Sequence, residues 1–195
     1  MELYTAYLKE KIPYTGKELR PQWISQKTRH FGDAVLAFRG PCMVETTELV
    51  DLEDARQGAF IRAEEMLHFL GEFFAESLNE TILKQRLWIA NFAEHLRKQI
   101  DSQKFSVLRK GNDLFLQKKE GGEAMKLSVS IVTASPISTL FHFGVNINAA
   151  GAPVLAAGLK EFSFDIDAFA QEILAAWKAE FLSIEKARCK VLPRV

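Results

Sequence analysis

The chain has 195 residues, and 25 Lys+Arg balance 25 Asp+Glu for a formal net charge of +0, so the broad basic field of a nucleic-acid binder is missing. Hydrophobic residues make up 48% and 15 residues are Phe, which excludes a disordered chain. No apolar run approaches the roughly 18 residues of a membrane span, the start lacks a signal peptide, and Cys42 and Cys189 are too few for a disulfide framework; a cytoplasmic globule with reduced thiols is expected.

Residues 1–30 are polar and punctuated by Pro13, Gly16 and Pro21, and read as an irregular segment. Residues 34–38 read as a short buried strand ended by Gly40-Pro41, with a second extended piece at 43–45. Residues 51–58 read as an acidic turn. Met66, Leu67, Phe69, Leu70, Phe73 and Phe74 recur at three- and four-residue spacing, which predicts a helix over 62–78. Asn79 is taken as a break. A second helix over 80–100 buries Ile82, Leu83, Ile89, Phe92, Leu96 and Ile100, and the short connection predicts an antiparallel helical hairpin.

The period then changes. Residues 105–109, 113–118, 126–133 and 138–148 read as four strands, separated by Gly111-Asn112, Gly121-Gly122 and Pro136. In the third, Leu127, Val129 and Ile131 alternate with Ser128, Ser130 and Val132, so one face is small and partly polar and suited to line a pocket. Residues 149–158 form a small-residue connection. A last helix over 167–190 carries Phe169, Ile173, Trp177, Phe181 and Ile184, with Asp165 or Asp167 as its cap. Strands and helices without strict alternation give an α+β class, one domain over 1–195 around a central sheet.

No phosphate-cradling Gly-rich loop, dinucleotide fingerprint or Gly-x-Ser-x-Gly elbow is present. Three groupings carry possible chemistry. Asp51, Glu53 and Asp54, followed by Arg56, combine carboxylates that suit Mg²⁺ with a guanidinium that suits a phosphate; the bland alternative is a solvated turn or a helix start. Glu64 and His68, with Glu65 beside them, would lie one turn apart on the predicted helix as a metal-ligand pair or a plain surface pair. Finally, Lys126 opens a strand where an ammonium can neutralise a carboxylate or phosphate against an apolar wall. Gly144 on the next strand permits close approach, while Asn146 and Asn148 share a face as amide donors.

That third block resembles the centre of the biotin protein ligase and lipoate ligase catalytic domain. The matching order is Asn112-Asp113, an apolar strand from Leu114 to Leu116, a Gly121-Gly122 turn, Lys126, then Gly144-Val-Asn146-Ile-Asn148. In that family the lysine contacts the acyl carboxylate and the adenylate phosphate, so the resemblance implies that role for Lys126. Three departures stand out. The ligases' Gly-Arg-rich loop has no counterpart beyond Arg39-Gly40 and Arg56-Gln-Gly58, the glycine expected three residues after the lysine is Val129, and Trp-Pro before Asn-Asp is replaced by Lys110-Gly111.

Over most of its length the chain also resembles the prokaryotic domain of unknown function 366 family. The residues concerned are Gly32-Asp-Ala-Val-Leu-Ala-Phe-Arg-Gly-Pro-Cys42, Val50-Asp-Leu-Glu-Asp54, Glu64-Glu-Met-Leu-His68 and Ser135-Pro-Ile-Ser-Thr139. This family is similar in fold to biotin ligases and class II aminoacyl-tRNA synthetases. The resemblance therefore implies a central mixed sheet with packed helices. It also implies an adenylate-forming or acyl-transfer enzyme acting on a small carboxylic acid, with ATP and Mg²⁺. Lys126 would stabilise anions, Asn112, Asp113, Gly144 and Asn146 would line the site, Arg39 or Arg56 would reach phosphate, and Asp51, Glu53 and Asp54 would hold the metal. The alternatives are a non-catalytic module binding a small molecule or nucleotide, and a homodimeric interaction domain.

Overall fold

The computed structural model describes residues 2–194. Five strands form a mixed sheet: β1 (Tyr4–Leu8), β2 (Ala34–Val44), β3 (Ile61–Phe73), β7 (Ser128–Ala134) and β8 (Thr139–Asn148). They lie in the order β1-β2-β3-β8-β7, with only β1–β2 parallel. A smaller sheet pairs β4 (Phe105–Lys110), β5 (Asp113–Lys118) and β6 (Met125–Lys126). The helices are α1 (Trp23–Thr28), α2 (Leu52–Arg56), α3 (Leu78–Gln99) and α4 (Ile166–Cys189).

The alternating side chains of the large sheet divide the core in two. Val35, Ala37, Phe69, Phe141, Phe143 and Val145 face Trp88, Ile89 and Phe92 of α3 and Phe169, Ile173 and Trp177 of α4. This layer is aromatic and edge-to-face: the rings of Trp88 and Trp177 lie 4.9 Å apart, those of Phe92 and Phe143 5.0 Å. The opposite face carries Leu36, Phe38, Met66, Leu70 and Leu140, covered by Ile12, Tyr14, Leu19, Trp23 and Ile24 of the N-terminal segment.

Several expected elements take another form. The stretch read as a helix over 62–78 is the strand β3, buried on both faces between β2 and β8, so its apolar residues run on without a gap and satisfy helical spacing by coincidence. The helical hairpin disappears with it. Asn79 is no break; it sits in the first turn of α3, which starts one residue earlier and is capped by Ser77 and Glu80. Gly40-Pro41 does not end β2 but forms an irregularity inside it, where the pairing with β3 shifts between Gly40 and Cys42 and the missing N–H of Pro41 is tolerated. The N-terminal segment contains β1 and α1, and its 12–14 stretch pairs with β2: Ile12 N–H donates to Arg39 O and Tyr14 N–H to Pro41 O, both at 2.9 Å. The strand read over 126–133 breaks at Leu127, with Lys126 in the small sheet and Ser128 in the large one. Strands β4, β5 and β8 and helices α3 and α4 fall where the patterns placed them, within a residue or two.

Candidate functional site

A cavity of about 460 Å³ opens on the sheet face that carries the N-terminal segment. Its floor comes from β7 and β8 (Val129, Ile131, His142, Asn146), and Tyr14 and Leu19 wall it on the N-terminal side. The α2 region contributes Val50, Asp51 and Asp54, and β3 begins its rim with Ile61 and Arg62. The small sheet supplies Asn112, Asp113 and Lys126.

Lys126 stands where the two sheets cross. Its N–H donates to Leu155 O at 2.9 Å and its carbonyl accepts from Ala157 N–H at 3.0 Å. One residue on, Leu127 N–H donates to Leu114 O and Leu127 O accepts from Asn146 N–H. The main chain at this point is therefore tied to β5, β8 and the 155–157 segment together. Its ammonium lies 2.9 Å from Asp113 Oδ2, and both side chains are partly exposed. Burial raises the Asp113 carboxyl above its ordinary range; the Lys126 charge pulls it down by less, and the Asp54 charge adds to the rise. The site thus favours the neutral form of Asp113 more than water does, and the Lys126 ammonium is what opposes this.

The asparagines act through the backbone. Asn146 Nδ2 donates to Lys126 O at 3.3 Å and to Ala157 O at 3.1 Å, so both amide hydrogens are spent on fixing the lysine's strand end. Asn112 Nδ2 donates to Ser130 O at 2.8 Å, joining the β4–β5 turn to β7. Gly144 lies between His142 and Asn146, but a Cβ there would stand 3.1 Å from both Met66 Cε and His142 Cε1. The space it leaves is filled by protein rather than offered to a ligand.

Six expected residues meet at the cavity: Lys126, Asn112, Asp113, Asn146, Asp51 and Asp54. Arg39 does not, because it projects from the opposite face of β2, where it pairs with Glu65 at 3.0 Å and Asp167 at 2.9 Å. Arg56 and Glu53 lie exposed on α2 and line no part of it. Asp51 Oδ1 accepts from the N–H groups of Glu53 and Asp54, the helix-start arrangement, and among the described residues no three His, Cys, Asp or Glu side chains converge as a metal site. Glu64 and His68 sit on an extended strand about 13 Å apart and form no pair; Glu64 instead accepts from Asn148 Nδ2.

Sequence reasoning missed three residues. Arg62 lies on the rim and makes no ion pair among the described residues, which makes it the arginine positioned for an anion. Tyr14 stacks on His142, with ring centroids 3.8 Å apart and planes within 8°. His142 shares β8 and its parity with Gly144 and Asn146, a signal that was legible at the same period of two.

Comparison with known proteins agrees with this architecture. Residues 3–192 match the family described as Domain of unknown function (DUF366). An uncharacterized protein of Methanocaldococcus jannaschii is 31% identical over 97% of this chain and 84% of its own length. A protein of unknown function from Pyrococcus horikoshi superposes with a TM-score of 0.87 at 30% identity, covering 99% of this chain and all of that one (100%). The fold extends further. A bi-partite lipoate protein ligase from Thermoplasma acidophilum gives a TM-score of 0.57 at 13% identity, over 94% of this chain and 84% of that one. A biotin protein ligase from Aquifex aeolicus, in complex with biotin and ATP, gives 0.53 at 18%, over 92% and 70%. The central mixed sheet with packed helices is thus the biotin and lipoate ligase fold. Among the described residues no helix is long and apolar enough to cross a membrane.

Proposed function

The chain belongs to the family described as Domain of unknown function (DUF366), and from that premise we propose that its cavity binds a small carboxylic acid and activates it by adenylation or acyl transfer. The observation that carries this reading is Lys126, whose ammonium stands on the wall of a cavity of about 460 Å³ at the crossing of the two sheets. That volume suits a small organic ligand.

In the adenylation step the acid's carboxylate oxygen attacks the α-phosphorus of ATP. The bond to the bridging oxygen breaks and pyrophosphate leaves with the electron pair. Negative charge accumulates on the non-bridging oxygens, and a fixed ammonium beside them lowers that barrier. A ligand anion at Lys126 would compete with Asp113 for the ammonium, and the burial that raises the Asp113 carboxyl lessens the charge opposing it. Arg62 on the rim reaches toward phosphate in the role first assigned to Arg39 or Arg56. Mg²⁺ accompanying ATP would meet Asp54 on the cavity wall, Asp51 being engaged by the N–H groups of Glu53 and Asp54.

ATP–pyrophosphate exchange against a panel of carboxylic acids tests this. Exchange with at least one acid is expected, and Lys126→Ala should lower it by about 100-fold or more. No exchange with any acid removes the adenylation reading. A second reading, a non-catalytic module binding the same acid, is favoured by the Lys126–Asp113 pair itself and by Glu48, Asp51 and Asp54 around the same cavity. These hold the local balance of charge negative. Ligand-induced thermal stabilisation without exchange would select it.

A further inference from the structure

His68 lies beneath the cavity floor, beside His142 in the floor itself, with 0% and 3% of their surfaces exposed. Burial drives both imidazoles toward the neutral form. Their hydrogen bonds then fix both tautomers. His68 Nε2 lies 3.3 Å from Gly40 O. A carbonyl only accepts, so the single proton of His68 is on Nε2 and its Nδ1 is bare. That bare Nδ1 lies 3.1 Å from His142 Nε2, which must therefore donate. The proton of His142 being on Nε2, its Nδ1 is bare as well. This atom has no hydrogen-bond partner among the described residues and is not sealed off, and His142 lines the cavity. Tyr14, stacked at 3.8 Å, holds the ring plane.

A carbonyl thus acts through two rings to present one lone pair to the cavity. From His142 to Asn146, which holds the carbonyl of Lys126, the strand runs about 13 Å. The acceptor and the ammonium are thus two distinct polar points on the wall of one cavity. We propose that His142 Nδ1 recognises the head group of the bound acid by accepting a hydrogen bond from its N–H or O–H, so that the acids taken carry an amide, urea or hydroxyl group away from the carboxylate. This rests on the reading of the cavity as a carboxylic-acid site, with the carboxylate at Lys126. A purely apolar head would leave the lone pair buried without a partner, and the site discriminates against it on that ground.

The test uses two straight-chain acids of equal heavy-atom count, one ending in a primary amide and the other in the matching methyl ketone, which keeps shape and carbonyl but lacks N–H. Calorimetric titration of the full-length protein should show the amide binding about tenfold more tightly. His142→Phe and His142→Gln should both reduce that ratio to about one. The glutamine variant guards against a folding failure, because its amide N–H reproduces the donor to His68 while no acceptor remains at the Nδ1 position. Nitrogen-15 NMR of the imidazoles should show bare Nδ1 on both rings of the ligand-free protein. Equal affinity for the two acids, binding of neither, or a protonated Nδ1 on His142 overturns the proposal. A tenfold preference without pyrophosphate exchange leaves it standing while removing the adenylation reading.

Discussion

His68 and His142 make the protein's stability depend on pH in a calculable sense. Burial lowers His68 from 6.5 to about 3 and His142 well below its ordinary value, whereas in the unfolded chain both titrate near 6.5. Between those limits the unfolded state binds more protons, so stability is complete above pH 6.5 and is lost as the pH falls toward the folded values. Each ring contributes a slope of about 1.4 kcal/mol per pH unit. Urea unfolding between pH 7.5 and 5 should show the wild type weakening steeply and a His68→Gln/His142→Gln variant much less; parallel curves would disprove the buried neutral pair. Lys126, Asn112, Asp113 and Asn146 were legible as residues of one region because they come in a fixed order on successive strands and turns, and the structure brings all four to one cavity. The face that His142 shares with Asn146 was legible from the period of two, but its pairing with His68 was not, because that partner lies 74 positions away. Arg39 misled for the converse reason: one step along a strand reverses the face, and β2 turns it toward Asp167 and away from the cavity.

At the level of elements, local signals located those that local forces decide. Helix α3 starts with a capping box in which Ser77 Oγ accepts from Glu80 N–H at 3.2 Å and Glu80 Oε2 accepts from Ser77 N–H at 2.7 Å. Ser77→Ala should cost about 1 kcal/mol, measured as a lower urea midpoint with an unchanged slope. A loss under a few tenths would mean that tertiary packing alone sets this end. Strand β3 was illegible for a different reason. A strand buried on both faces has no alternation to display, and its Met-Leu-His-Phe-Leu run fits a helix equally well. What decides in favour of a strand is hydrogen bonding to β2 and β8, which no window along the sequence contains. With β3 extended, the metal-ligand spacing of Glu64 and His68 on a helical face vanishes, and His68 becomes a partner of His142 instead.

For the whole molecule, the N-terminal segment closes the second face of the sheet and forms one side of the cavity, and Gly40 is what allows it to approach. A Cβ on Gly40 would stand 1.9 Å from Ile12 O, and Gly40 O also holds His68. Gly40→Ala should therefore cost about 3 kcal/mol or more, by displacing the 12–14 stretch and the backbone bonds it makes with β2. Urea unfolding measures this, and a loss below about 1 kcal/mol would show that the segment is only loosely docked. The sequence by itself determined the class of the molecule, its terminal helix, the strands β4, β5 and β8 and the ordered block from Asn112 to Asn148, because propensity, turn chemistry and strand period act over a few residues; that the strands divide between two sheets was decided by the structure. Tertiary structure alone decided that β3 is a strand, that residues 1–30 are a wall, and that Lys126 faces Asp113 in a cavity backed by a histidine pair. The physical reason is range. A strand's hydrogen bonds and the burial that neutralises an imidazole come from segments distant in the chain, and they exist only once the sheet has assembled. The formal net charge of +0 is local in the same way: acidic Asp51 and Asp54 and basic Lys126 meet at one cavity because α2 and β6 do.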